Sequence, residues 1–256
     1  MKHVLAAQHR SVVEQFARSR VLLGFDFDGT LSPIVREPSA ANMRGSTRIL
    51  LRQVAKRYPC AIISGRSLAD VSARLEGIPI VAAIGNHGLE PAKKGKGRTK
   101  YVERWMRSLG ENLADLSGIE IEDKGLSIAV HYRKTRARRV ARERVARAIE
   151  SLEGAARIIP GKLVVNILPP GAVHKGTSLQ ELRARVQADT AIYVGDDVTD
   201  EDVFSLDEPG RLLSIRVGRD SSSSAEYYLR SQREMDLLLK LLTECRPIEK
   251  MGNARA

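Results

Sequence analysis

Val21-Leu22-Leu23-Gly24-Phe25-Asp26-Phe27-Asp28-Gly29-Thr30 is the stretch on which the fold of this chain turns. An apolar run of strand length ends in two carboxylates at positions i and i+2, and a glycine follows at once. Side chains two apart on an extended segment point the same way, and repulsion makes such a pair costly unless a cation or a proton relieves it. Two readings stand side by side. One is a surface turn, since Asp-Gly is ordinary turn chemistry. The other is a metal-assisted site: one carboxylate attacks or ligates, the other handles protons, and Gly29 frees the backbone to wrap an anion.

The rest of the chain favours the second. The apolar run Cys60-Ala61-Ile62-Ile63 leads into Ser64-Gly65-Arg66, Lys175-Gly176 opens a helical pattern, and Ile192-Tyr193-Val194 leads into Gly195-Asp196-Asp197-Val198-Thr199-Asp200. Beyond the carboxyl ends of strands in an open parallel sheet, such segments converge on one crevice. That crevice would gather Asp26, Asp28, Asp196 and Asp200, the ammonium of Lys175, and the hydroxyls of Thr30 and Ser64. Hard oxygen ligands suit Mg2+, while the lysine, hydroxyls and backbone amides can hold phosphoryl oxygens.

In this order, Asp-x-Asp-Gly-Thr, a strand-end Ser, Lys-Gly and Gly-Asp-Asp-x-Thr-Asp resemble the four signature motifs of the haloacid dehalogenase superfamily of phosphatases. Within it, the chain is most similar to the trehalose-6-phosphate phosphatases. The similarity covers residues 20–240 and rests on segments 28–35, 63–67, 85–90 (Gly-Asn-His-Gly-Leu-Glu), 124–125 with 131–133, and 195–202. It implies that Asp26 is the nucleophile and Asp28 the general acid and base. Asp26, Asp28 (through its backbone carbonyl), Asp196 and Asp200 would hold Mg2+, with Asp200 or Asp197 acting from behind on the metal's waters or on Lys175. Lys175, Ser64 and Thr30 would face the phosphoryl group; both hydroxyl residues also read as helix caps. Arg66, either on the sugar or bracing its loop, would join His87, Glu122, Lys124 and Asn166 around the leaving sugar.

One departure stands out. The family pattern before the catalytic lysine reads Gly-Lys-x-Val-x-Glu-Ile-x-Pro, and here the run 161–169 places Asn166 where the glutamate is expected. An amide donates and accepts hydrogen bonds but lacks the charge-assisted strength of a carboxylate. The resemblance makes trehalose 6-phosphate the first substrate expected, and Asn166 makes a sucrose or mannosylglycerate phosphate ester the alternative.

Composition bounds the other classes. Hydrophobic residues make up 43% of the 256, enough for a packed interior, while aromatics at 4% leave Leu, Val, Ile and Ala to fill it. Cys60 and Cys245 form no ligand or redox spacing. No run approaches a membrane span and the start lacks a secretory pattern, so a cytoplasmic protein is expected. The net charge of +11 invites a nucleic-acid reading. Yet along 136–153 the apolar residues Val140, Ala141, Val145, Ala148, Ile149 and Leu152 recur at helical spacing and leave the arginines on the opposite, solvated face. The expected partner is a small sugar phosphate, with no nucleic acid and no membrane; the sequence does not specify an oligomeric state.

Periodicity predicts a helix over 4–18, a strand at 21–26, helix 44–57, strand 60–64, helix 67–74 and strand 80–84: alternating β and α, hence a parallel Rossmann-like sheet. A Gly- and Lys-rich linker at 93–100 introduces an αββαββ segment: helix 101–115, strands 119–123 and 126–132, helix 136–153, strands 156–160 and 163–168. The core resumes with a helix from 176, strand 191–195, helix 200–206, strand 212–217 and a last helix over 222–242 that Ser221–Ser224 would cap. The expected architecture is an α/β core of residues 1–96 and 171–256 with an inserted α+β lid over 97–170.

Overall fold

The computed structural model describes residues 1–35, 37–91, 100–161 and 163–247. Its larger sheet has seven strands in the order β1-β11-β10-β9-β2-β3-β4, all parallel. They are β1 (Lys2–His3), β2 (Val21–Phe25), β3 (Cys60–Ile63), β4 (Ala82–Ile84), β9 (Thr190–Gly195), β10 (Leu212–Val217) and β11 (Tyr227–Leu229). β2 lies inside the sheet, between β9 and β3, which is why all five of its residues are apolar or glycine and buried.

Alternation along β2 sorts the two faces. Leu23 and Phe25 join Phe16, Leu51, Val54 and Leu239 on one side, beneath α1 (Arg10–Arg18), α2 (Gly45–Ala55) and α8 (Met235–Cys245). Leu22 joins Leu179, Leu182, Tyr193 and Phe204 on the other, beneath α6 (Lys175–Arg185) and α7 (Glu201–Phe204). α3 (Leu68–Arg74) follows β3.

The second sheet is antiparallel, in the order β5-β6-β8-β7: β5 (Glu120–Asp123), β6 (Ile128–His131), β8 (Val164–Leu168) and β7 (Arg157–Gly161). Val102, Trp105 and Leu109 of α4 (Lys100–Leu113) and Val145 and Ala148 of α5 (Arg138–Glu150) pack with Ile128, Val130 and Ile167, one face of that sheet. The other face is left for the core. Among the described residues no helix is long and apolar enough to cross a membrane.

The chain ends differ from expectation. The helix predicted over 222–242 is a strand, a short turn at Gln232–Glu234, and then α8; Ser221–Ser224 lead into β11 instead of capping a helix. Ala225, Tyr227 and Leu229 are buried at every second position, a strand period, and β11 completes a ladder with β10. The helix predicted from residue 4 starts at Arg10, because Lys2 and His3 pair with Tyr227 and Tyr228 as an edge strand. The predicted linker at 93–100 lies outside the described residues up to 99, and Lys100 already begins α4.

Candidate active site

The ends of β2 and β9 carry the acidic cluster. The Asp26 N–H donates to the Val194 carbonyl at 2.9 Å, so the ladder runs one residue past β2 and brings Asp26 alongside the 195–200 loop. Gly29, at φ +79°, lets the two loops touch: a Cβ there would lie 1.9 Å from Asp196 Oδ2. Lys175 opens α6, fully buried, and its Nζ donates to Asp26 Oδ1 at 2.7 Å and Asp200 Oδ1 at 2.8 Å. Behind it His174 and Thr177 form a capping box that fixes the helix start.

Asp200 is saturated. Its Oδ1 also accepts the Tyr193 hydroxyl at 2.7 Å, and its Oδ2 accepts the N–H groups of Asp196 and Asp197, each at 2.9 Å. Four donors occupy the roughly four acceptor positions of a carboxylate, so Asp200 holds Lys175 and the loop.

Oxygens of Asp26, Asp196 and Asp200 all lie within 4.8 Å of one another, and one ammonium cannot neutralise three carboxylates. Burial pushes the Asp26 carboxyl up to about 8 despite the pull of Lys175, with the Asp200 charge adding to the rise. Burial, then the charges of Asp26 and Asp200, push Asp196 up to about 9. Burial opposes the Lys175 charge as well, but Asp200 and Asp26 outweigh it and raise its pKa. A nearly dry, over-negative set of hard oxygens fits an oxygen-liganded divalent cation.

Asp28 stands apart from this cluster. Its two oxygens accept from Arg66 Nε at 2.6 Å and Nη2 at 2.7 Å, while Arg66 Nη1 donates to Asp70 at 2.6 Å. Ser64, at the end of β3, is fully buried and its hydroxyl accepts from the Arg66 N–H at 3.2 Å; the cap of α3 falls to Ser67 instead. Thr30 is buried with its hydroxyl 3.4 Å from Asp196 Oδ1. Neither hydroxyl residue lines the cleft above the cluster.

That cleft, about 360 Å3, has Asp26, Asp28, Arg66, Lys175 and Asp196 below and Glu122, Lys124, His131, Arg133 and Asn166 above, with His87 at the side. Register explains the upper set: Glu122 pairs with Ala129 and Ala129 with Asn166, so both polar side chains leave the face opposite the helices, flanking a small residue. Lys124 Nζ crosses to the Gly65 carbonyl at 3.0 Å and Asn166 Oδ1 at 3.3 Å, and burial lowers its pKa. The hydrogen bond from His131 holds the Glu122 carboxyl below its usual range.

His87 is 7% exposed and sits at φ +58°, and among the described residues neither ring nitrogen makes a hydrogen bond of good geometry, with the Asn166 amide a polar influence on the ring. Burial, then Lys124 and Lys175, drive its pKa well down. It is a neutral imidazole beside the cleft.

All the expected site residues thus gather around one crevice, although Ser64, Thr30 and Asp200 lie behind its wall. The sequence reading omits Asp70 and Tyr193. Asp70 was detectable as the i+4 partner of Arg66; Tyr193, inside an apolar strand, reads only as core.

The chain superposes on the C. albicans trehalose-6-phosphate phosphatase C-terminal domain with a TM-score of 0.79 at 21% identity, covering 95% of this chain and 98% of that one. An Aspergillus fumigatus trehalose-6-phosphate phosphatase gives 0.65 at 25% identity, covering 95% and 99%. With a parallel core, a separate antiparallel sheet and these neighbours, the fold is that of the haloacid dehalogenase phosphatases that carry a lid domain.

The chain belongs to the trehalose-phosphatase family, whose sequence pattern matches residues 24–233. Mycobacterium tuberculosis trehalose-phosphate phosphatase is 36% identical over 201 residues, 72% of this chain and 51% of that protein. The Mycobacterium ulcerans relative is 34% identical over 212 residues, 77% and 54%. The chain spans about half the length of these curated relatives.

Proposed function

We propose that this chain is a phosphomonoester hydrolase that converts trehalose 6-phosphate to trehalose and phosphate, with Mg2+ as its cofactor. The observation that carries the reading is Lys175, held between Asp26 and Asp200 at 2.7 and 2.8 Å beneath a lid face bearing Glu122, Lys124 and Asn166. In this reading residues 97–170 form the lid and 1–96 with 171–256 the catalytic core.

Asp26 attacks phosphorus in line, forming an aspartyl-phosphate as the bond to the sugar oxygen breaks. Asp28, carrying a proton once it leaves its Arg66 fork, gives that proton to the departing oxygen, then regains one from the water that cleaves the Asp26–phosphorus bond and so is reset for the next turnover. Lys175, itself braced by Asp200, neutralises the phosphoryl oxygens. The Ser64 and Thr30 hydroxyls support the loops that receive them. Asp26, Asp196 and the Asp28 carbonyl would hold Mg2+, with Asp200 behind, and the ion when bound supplies positive charge to the phosphoryl group. Glu122, Lys124, Asn166, His87 and Arg66 surround the leaving sugar.

Phosphate release from trehalose 6-phosphate with Mg2+ is expected, with loss on EDTA treatment and in Asp26→Asn; an Asp26→Asn protein of full activity refutes the nucleophile assignment. A second reading, the same chemistry on a sucrose or mannosylglycerate ester, is favoured by the neutral Asn166 that accepts from Lys124. Comparing kcat/KM over these esters, with Asn166→Glu as probe, separates the two.

A further inference from the structure

Arg157 opens β7, an edge of the lid sheet, and its Nη2 lies 2.6 Å from each carboxylate oxygen of Asp202 at the start of α7. The two side chains are 31% and 21% exposed, and neither lines the cleft. Asp202 is two residues past Asp200. Its carbonyl packs on Gly176 so closely that a Cβ there would lie 2.2 Å away, and Gly176 follows Lys175. The residue gripped by the lid therefore touches the backbone that carries the Lys175–Asp200 pair.

A second lid-to-core contact lies at the other edge of the sheet. In the β5–β6 hairpin Ser127 donates to Asn86 Oδ1, the Lys124 carbonyl accepts from Asn86 Nδ2 at 3.3 Å, and Lys124 Nζ reaches Gly65. Three strand spacings of about 4.8 Å separate the edges β5 and β7. One contact alone makes a hinge, whereas two at opposite edges fix the sheet against rotation. Arg157 also shares a face with Asn166, since Ile159 pairs with Asn166 and Arg157 with Leu168.

We propose that Arg157 and Asp202 are positioning residues, a clip that sets the lid where Asn166 and Lys124 overlie Asp26 and so couples sugar recognition to the assembled Lys175 site. This rests on the sugar-phosphatase reading above. A small ester such as p-nitrophenyl phosphate leaves no sugar for the lid to place, so the clip acts on the sugar phosphate and leaves the small ester alone.

For Arg157→Gln and Asp202→Asn, kcat/KM on trehalose 6-phosphate is expected to fall by about tenfold to a hundredfold, while the rate on p-nitrophenyl phosphate stays within about twofold. Arg157→Lys restores most of the loss, because a single nitrogen makes both contacts. Equal loss on the two substrates, or none on the sugar phosphate, overturns the clip. If the wild type hydrolyses no sugar phosphate, the functional reading has failed, and hydrogen exchange judges the clip alone. Faster exchange in β7 and β8 of Arg157→Gln, with α8 unchanged, supports it; unchanged exchange in β7 and β8 overturns it. Should Arg157→Gln not fold, Asp202→Asn carries the same comparisons.

Discussion

Arg66 grips both oxygens of Asp28, at 2.6 and 2.7 Å, and ties the same guanidinium to Asp70. The side chain proposed to move protons is thus located at the floor of the cleft by a rigid fork anchored on α3. Lysine has no such planar fork. Arg66→Lys is therefore expected to lower kcat/KM by about tenfold or more, on sugar phosphate and small ester alike, because Asp28 serves both. Steady-state kinetics on the two substrates check this, and a wild-type rate on both would show that Asp28 needs no locator.

The crowded carboxylates make the metal-free protein pH-sensitive in a definite direction. In the unfolded chain Asp26 and Asp196 titrate near the ordinary carboxylate value of about 4, and in the fold they are raised to about 8 and about 9. Between those limits the folded state binds more protons than the unfolded one, so the contribution of these two carboxyls to stability is fully present below about pH 4 and is lost as pH rises through 8 to 9. A bound divalent cation would replace those protons. Its stabilisation, read as a Tm gain on adding Mg2+, is expected to be larger at pH 9 than at pH 6, and Asp196→Asn should stabilise the metal-free protein by about 1–3 kcal/mol at neutral pH. An equal Tm gain at both pH values would remove the electrostatic account.

His87 contributes with the opposite sign. Its folded pKa is depressed, so the stability it permits is present above the unfolded value of about 6.5 and declines as pH falls below it, by at most about 1.4 kcal/mol per pH unit. Denaturant unfolding at pH 7.5 and pH 5.5 is expected to show a smaller acid loss for His87→Asn than for wild type. Identical losses would mean that the imidazole is protonated in the fold.

Gly29 is where the two acidic loops meet. Gly29→Ala places a methyl group against Asp196, 1.9 Å from Oδ2 before relaxation, at a φ of +79° that alanine resists. Loss of at least about a hundredfold in activity is expected, together with about 1–3 kcal/mol of stability. The same substitution at Gly210, which also has positive φ but open space around it, should cost stability without that loss of activity. Similar activity losses at the two glycines would argue against a steric cause.

The crevice residues were legible because each cluster follows a short apolar run, and parallel strands bring such ends together. Glu122 and Asn166 were legible only through the family resemblance, and the β5–β6–β8 register is what places them on one face of the second sheet. The edge strands were not legible: β1 has only two residues, and the serines before β11 mimic a cap, so the alternate burial of Ala225, Tyr227 and Leu229 shows only in the fold. Saturation of Asp200 was equally hidden, since its Tyr193 donor sits within an apolar strand.

By itself the sequence determined which carboxylates, which lysine and which amide are present, and that the acidic clusters follow short apolar runs. Those facts follow from local spacing, where side-chain direction repeats every two or 3.6 residues. Only the tertiary structure decided that Asp28 rests on Arg66, 38 residues away, and that Arg157 of β7 pairs with Asp202 of α7, 45 residues away. Ion pairs at such separations leave no periodic trace, because they depend on how loops from different strands pack once the sheets have formed.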